Sequence, residues 1–273
     1  MTTTEATELT PAGLAFDAAA ETFDARFVPW ESAEAQRRAV RAALLRAFPR
    51  GARLLEVGGG TGLDALWLAE QGRTVFLTDA SPAMVAKARL KLGTDAAEVF
   101  AAEHLDRLAD RGDRFDGAFS NFAGLNCVTD LAPVGEALAR LVEPGGKVIL
   151  VVFGCHCPGE VLIEGLRGRF VNMFRRRHRG PVPAKLGGRH FTVRYHRRSD
   201  MVQALGPWFR LVGSQGVGLL VPPSAAEPWI SGWPRLVAAL ERIDRVLARP
   251  LWFFGDHVLY TFERDAAGMA RVA

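Results

Sequence analysis

The stretch Leu54-Leu55-Glu56-Val57-Gly58-Gly59-Gly60-Thr61-Gly62 constrains this chain more than any other. An apolar run too short for a helix meets a cluster of glycines, and a helical pattern over 63–71 follows. Glycine admits positive φ and removes the Cβ atoms that hold a ligand away from the backbone. The start of the next helix then offers unpaired N–H groups to a carboxylate or phosphate. The same alternation recurs downstream: strand 74–77, helix 82–92, strand 98–101, strand 115–120, helix 131–141 and strand 147–153, with helix 35–48 placed before them all. Five strands with interleaved helices predict an α/β fold built on a Rossmann-like, doubly wound, mostly parallel sheet.

At 273 residues, 49% of them hydrophobic and 23% charged, the chain suits one globular domain better than two. Residues 1–13 are expected as a flexible tail and 14–273 as the domain. Within it, 155–190 reads as a lid-like insertion after the fifth strand and 191–263 as the part that completes the sheet. The pieces expected there are a strand at 190–195, a helix at 199–205 capped by Ser199, a strand at 209–217, a helix at 234–247 and a closing strand at 257–262. No apolar run approaches the ~20 residues of a bilayer span. The N-terminus has neither the basic start nor the apolar core of a secretion signal, and three cysteines without such a signal suit a reducing cytoplasm. Cys155-His156-Cys157 has no second Cys/His pair to complete a structural zinc site, so no metal is expected.

Asp79 follows the next strand, 21 residues after Gly58, where an acidic side chain can accept hydrogen bonds from both hydroxyls of a ribose. Ser81 and Pro82 already make a helix N-cap and first position, which frees Asp79 from capping. A nicotinamide-dependent oxidoreductase is the natural competitor. Its G-x-G-x-x-G fingerprint needs glycine where Leu63 stands, and Glu56 beside the loop would repel a pyrophosphate. An amino-acid nucleoside fits better, since Glu56 can accept a hydrogen bond from its ammonium group.

LLEVGGGTGLDALWLAEQG, TVFLTDASPAMVAKAR and RFDGAFSNFAGLNCV resemble the first, second and fourth-strand motifs of class I S-adenosylmethionine-dependent methyltransferases. The resemblance implies a seven-stranded sheet with an antiparallel last strand. It implies S-adenosyl-L-methionine as donor and S-adenosyl-L-homocysteine as product. Residues 15–155 carry it well and 190–263 more loosely. By that resemblance Glu56, Gly58, Gly60 and Gly62 hold the methionine part, Asp79 the ribose, and Ser81 and Met84 flank the adenine. Ala102 and Glu103 stand where the family touches the adenine amino edge, and Asn121 and Phe122 contact cofactor or substrate. Where relatives often have Asp just before that pair, this chain has Ala101, which leaves the adenine contact to backbone or to Glu103. Phe16-Asp17 and Phe23-Asp24 resemble the aromatic-Asp repeats of a segment that closes over the cofactor; both phenylalanines equally suit the core face of an N-terminal helix.

Methyl transfer is an in-line displacement that needs alignment and exclusion of water more than a base. Asn121 is the first candidate for contact with the reacting atoms, Asn126 for the substrate pocket, and His104, His156, His190 and His196 as bases. Ser120-Asn121-Phe122 is not the Asn-Pro-Pro-aromatic signature of nucleic-acid amino methylation, so a small-molecule acceptor, acidic or lipid-like, is expected at O, N or C. Residues 165–199 hold eleven Lys or Arg and no acid, and 159–177 reads as one basic amphipathic helix. Its arginines, Arg167 among them, can sit in water, receive an acidic substrate or meet an anionic membrane surface. A non-enzymatic nucleotide-binding module on the same fold is the remaining alternative.

Overall fold

The computed structural model describes residues 9–266. Two helices, α1 (Pro11–Phe27) and α2 (Glu31–Ala47), precede the alternation β1 (Arg53–Val57), α3 (Leu63–Glu70), β2 (Thr74–Asp79), α4 (Pro82–Leu92), β3 (Ala97–Val99), α5 (Leu105–Asp110), β4 (Phe115–Ser120), α6 (Ala132–Leu141) and β5 (Val142–Phe153). After β5 come α7 (Pro158–Leu166), the four-residue α8 (Phe170–Met173), the hairpin β6 (Val182–Leu186) and β7 (Arg189–Val193), α9 (Arg198–Leu205), β8 (Phe209–Val217), α10 (Pro234–Leu247) and β9 (His257–Arg264). The main sheet has seven strands in the order β3-β2-β1-β4-β5-β9-β8. β1 to β5 run parallel, and β9 runs antiparallel to both of its neighbours.

Side-chain alternation along the strands builds a core on each face of this sheet. Leu55 and Val57 turn toward Leu105, Leu108, Leu138 and Met201 of α5, α6 and α9. Leu54, in the opposite phase of the strand, turns toward Val40, Leu44, Leu68 and Val85 of α2, α3 and α4. Each fully buried Leu or Phe of these layers contributes about 1.5–3 kcal/mol of transfer free energy. Strand order reverses between β1 and β4, which places a crevice at their carboxyl ends, where open α/β sheets take ligands.

Four expectations are corrected. Residues 10–13 belong to no tail: Thr10 caps α1 through Gly13 N–H, and Gly13 packs so closely on Ala80 that a Cβ would come within 2.8 Å of its carbonyl oxygen; residues 1–8 lie outside the described residues. The single basic helix 159–177 is broken, because Gly168 takes a left-handed φ of +69° and ends the helix as glycines do just past a C-terminus. The strand expected at 190–195 is β7 at 189–193, and it does not help complete the main sheet but pairs only with β6 in a two-stranded sheet of its own. Finally, α9 starts at Arg198, where Asp200 accepts from Arg197 N–H, so Ser199 lies inside the helix.

Candidate active site

Beyond β1 the backbone reverses through Gly58 (φ +68°), Gly60 (+57°) and Gly62 (+79°), a conformation that costs other residues roughly 1–2 kcal/mol each. Gly58 and Gly59 N–H both bond to the Thr78 carbonyl, at 2.7 and 3.1 Å, which ties the loop to β2. Asp79 at the end of β2 takes Gly60 N–H on Oδ2 and Ser81 N–H on Oδ1, each at 2.9 Å. It is therefore not idle, as its freedom from capping suggested. A carboxylate offers about four acceptor sites, so two amides hold it rigid and leave capacity for two hydroxyls. Burial raises its pKa against the pull of those two amides.

Glu56 is 2% exposed and its Oε2 has no hydrogen-bond partner. Burial, and then Asp64 and Asp79, hold its pKa well above the usual carboxylate value. Across the same crevice Arg37 of α2 leaves a second buried polar atom, Nε, without a hydrogen bond, although Asp64 Oδ1 lies 3.6 Å away. A buried donor or acceptor left unmade costs about 1–3 kcal/mol. One acceptor and one cationic donor awaiting partners in a single cleft suit the ammonium and carboxylate of an amino-acid tail, and Glu56 disfavours a pyrophosphate. The residues present thus fit S-adenosylmethionine in chemical character: an unpartnered acceptor and a cation for a zwitterion, and a carboxylate with spare capacity for two hydroxyls.

The cleft is lined by Glu56, Gly58, Gly60, Asp79, Met84, Ala102, Glu103, Asn121 and Phe122 of the residues expected there, together with Phe16 and Phe23. The two phenylalanines, ring centroids 6.1 Å apart, come from α1, which lies over the cleft. Their neighbours fasten that helix. Asp17 accepts from Ser81 Oγ (3.0 Å) and Ala83 N–H (2.8 Å), while Asp24 accepts from Thr61 Oγ1 (2.6 Å) and Lys91 Nζ (2.9 Å).

Other expected residues stand elsewhere. Ser81 is buried and caps α4 through Met84 N–H, so Ala80 rather than Ser81 faces the cleft. Gly62 also lies behind it: an added Cβ would come 3.1 Å from the Cβ of Ala88. Asn121 lines the cleft with its amide committed, Nδ2 donating to Asp64 Oδ2 at 2.7 Å and Oδ1 accepting Phe122 N–H at 2.8 Å; it shapes the site more than it can carry protons. Asn126 is fully buried and clips β5 to β7, donating to the Arg194 carbonyl (2.6 Å) and accepting Phe153 N–H (3.0 Å). Arg167 points to the surface beside Glu164 at 3.8 Å. His104 does not line the cleft; His156 is exposed and lines a separate hollow with Cys155 and Cys157; His190 is exposed. His196 is buried, with Nε2 2.9 Å from the Val128 carbonyl, and burial lowers its pKa.

Arg37, Asp64, Ala80, Phe100 and Cys127 also line the cleft; Asp64, Ala80 and Cys127 stand inside the three stretches quoted above without having been singled out, whereas Arg37 of α2 and Phe100 after β3 lie outside any motif. Phe122 is the exceptional member: a bulky residue at φ +47°, followed by Ala123 at +62°. Such backbone persists only where its surroundings enforce it and concentrates at functional sites.

A family model described as a methyltransferase domain matches residues 32–204. The chain belongs to the class I S-adenosylmethionine-dependent methyltransferases. Among similar proteins, the ubiquinone biosynthesis O-methyltransferase of Alkalilimnicola ehrlichii is 40% identical over 101 residues, covering 36% of this chain and 40% of that protein. The demethylmenaquinone methyltransferase of Clavibacter sepedonicus is 33% identical over 104 residues, 38% of this chain and 42% of its own length. The chain therefore spans about two fifths of the length of these curated relatives. The structure of the CcbJ methyltransferase from Streptomyces caelestis superposes with a TM-score of 0.56 over 95% of this chain and 100% of its own at 16% identity, which speaks to the fold. No helix among the described residues is long and apolar enough to cross a membrane.

Proposed function

We propose that this methyltransferase transfers the methyl group of S-adenosylmethionine to a small-molecule acceptor. The observation that carries the reading is the pairing of two unpartnered buried groups of opposite character, Glu56 Oε2 and Arg37 Nε, in the cleft that also presents the amide-held carboxylate of Asp79. When bound, S-adenosylmethionine supplies a methyl group activated by a sulfonium. The chain's own residues bind and align: Glu56 and Arg37 the amino-acid end, Asp79 the ribose, Met84 and Ala102 the base. Phe16, Phe23 and Phe122 exclude water, and orientation in a dry site is what this displacement requires. Calorimetry with S-adenosylhomocysteine and with NAD tests the binding; uptake of NAD alone refutes the reading. Incubation with labelled donor and a cell extract tests turnover, and tight binding without a labelled product favours a non-enzymatic module.

Similarity to an O-methyltransferase and to a demethylmenaquinone methyltransferase supports a small, largely apolar acceptor. We read 155–190 as a lid over its entrance, because the Gly187 turn of the β6–β7 hairpin seats against Ala15 and Ala18 of α1, and Phe191 stands 6.0 Å from Phe16. The outer face of this lid exposes Leu162, Leu166, Phe170, Val171 and Phe174 beside Arg167, Arg169 and Arg177. Apolar side chains ringed by cations suit an anionic lipid surface. Flotation with phosphatidylglycerol vesicles, and none with phosphatidylcholine, is the expected result; equal recovery with both counts against membrane contact.

A further inference from the structure

Beside Phe122, on the same edge of the sheet, lies a charged cluster that the nucleoside cleft does not use. Asp256 precedes β9 and is 2% exposed; it accepts from Arg176 Nη2 at 2.7 Å and from Gln36 Nε2 at 3.1 Å. Arg176, the one buried arginine of the basic insertion, also donates to Glu160, which Arg175 reaches at 2.8 Å. Burial alone would raise the pKa of Asp256, and the charges of Arg176 and His257 overcome this and hold it well below the carboxylate range.

His257, the first residue of β9, presents Nδ1 to Asp256 Oδ2 at 3.4 Å, and that nitrogen is sealed from solvent. The distance suits charge attraction and falls just outside good hydrogen-bond geometry, as is common before a substrate closes a site. The ring is clamped, stacked on Phe153 at 4.8 Å and edge-on to Phe122 at 5.9 Å. Nε2 has no hydrogen-bond partner among the described residues, and the His257 side chain as a whole is 8% exposed. Phe122, held at its positive φ, thus touches the nucleoside cleft on one side and this imidazole on the other.

We propose that His257, oriented by Asp256, is the proton acceptor of the reaction, and that the acceptor substrate is a hydroxyl on a planar apolar ring laid against Phe122. This rests on the methyl-transfer reading. The hydroxyl oxygen forms its bond to the methyl carbon as the carbon–sulfur bond breaks, and that bond's electron pair stays on sulfur as a neutral thioether. The O–H electron pair stays on oxygen, the proton passes to Nε2, and the imidazolium faces the anion of Asp256 until solvent removes the proton. Asp256 is a positioning residue, and Arg176 couples it to the insertion. The charged and titratable groups packed around His257 are Asp256 before its own strand, Arg176 and Glu160 of the insertion, Cys157 at the start of α7, Tyr195 beyond Phe153, and Arg37, whose guanidinium lies 4.9 Å over Phe122.

The test uses the full chain with S-adenosylmethionine and catechol, 4-hydroxybenzoate and 4-nitrocatechol as probe acceptors. The parent is expected to methylate at least one of them. His257→Gln should bind S-adenosylhomocysteine within twofold of the parent and lose about 100-fold or more in kcat at pH 7. The loss should be smallest for 4-nitrocatechol, the most readily ionised of the three acceptors. Independently of turnover and of the variant's folding, diethyl pyrocarbonate should carbethoxylate His257 in the parent bound to S-adenosylhomocysteine, read by mass spectrometry. An unlabelled His257, an unchanged kcat in the variant, or a parent that binds S-adenosylhomocysteine yet methylates no probe overturns the proposal and leaves the donor site standing. Failure to bind S-adenosylhomocysteine overturns the methyl-transfer reading beneath it.

Discussion

Glu56→Gln exchanges one buried oxygen for a nitrogen with almost no change of shape, and the structure gives it two effects of opposite sign. In the ligand-free protein, burial together with Asp64 and Asp79 disfavours the ionised carboxyl and raises its pKa above 4.5. The unfolded chain ionises first. The group's contribution to stability is therefore undiminished below the unfolded value and is lost as pH rises through the folded one, at about 1.4 kcal/mol per unit of displacement. Glutamine escapes that penalty, so the variant should melt higher at pH 8, by about 2–4 °C for each kcal/mol recovered. Binding moves the other way. A charge-assisted hydrogen bond to the donor's ammonium is worth about 1.5–3 kcal/mol, so S-adenosylhomocysteine should bind about 10- to 150-fold more weakly. The parent's affinity should also fall as pH drops toward the raised pKa of Glu56, and the variant should lose that part of the dependence. Calorimetry at pH 6 and 8 with thermal melts of both ligand-free proteins reads all three. Affinity within twofold of the parent at pH 8, together with an unchanged melting temperature, would refute the assignment of Glu56 to the ammonium.

Asp79→Asn should weaken S-adenosylhomocysteine about 10- to 100-fold by calorimetry, because an amide cannot accept from Gly60 N–H, Ser81 N–H and two hydroxyls at once. Arg176→Met should cost about 3–5 kcal/mol in a urea titration at pH 7, leaving Asp256 buried without its arginine and Glu160 with Arg175 alone, whereas Arg167→Ala at the surface should stay within about 0.5 kcal/mol. The depressed pKa of Asp256 gives the sign of the pH effect: its stabilisation is present above the unfolded value of 3.8 and is lost as pH falls from there toward the folded one, so Arg176→Met should flatten the parent's acid-unfolding curve. Gly13→Val should push α1 off Ala80 and weaken S-adenosylhomocysteine several-fold while the sheet keeps its thermal transition; an unchanged affinity would remove α1 from the roof of the cleft.

Much of the donor site was legible because its parts are local. The glycine run, Glu56 before it and Asp79 after the next strand sit on consecutive elements whose spacing is the spacing of the site. The errors follow from contacts between distant segments. Ser81 looks like a ligand residue by position, yet its hydroxyl is used up between Met84 N–H and Asp17, 64 residues away. Asn126 is polar and follows the fourth strand, but its two ends are bonded to Arg194 and Phe153. The arginines of the insertion are alike in sequence, and only the fold shows that Arg176 turns inward to Asp256 while Arg167 faces water.

From its sequence alone this chain declared the parallel sheet, the glycine turn and the acidic residue beyond it, since hydrophobic periodicity and backbone freedom act over a few residues. Tertiary structure decided which side chains share a site: Arg37 and Glu56 on one crevice, α1 over the cleft, and His257 beside Phe122. Phe122 follows β4 and His257 opens β9, far apart in the chain, and what brings them together is the order of strands in one sheet, which no local pattern encodes.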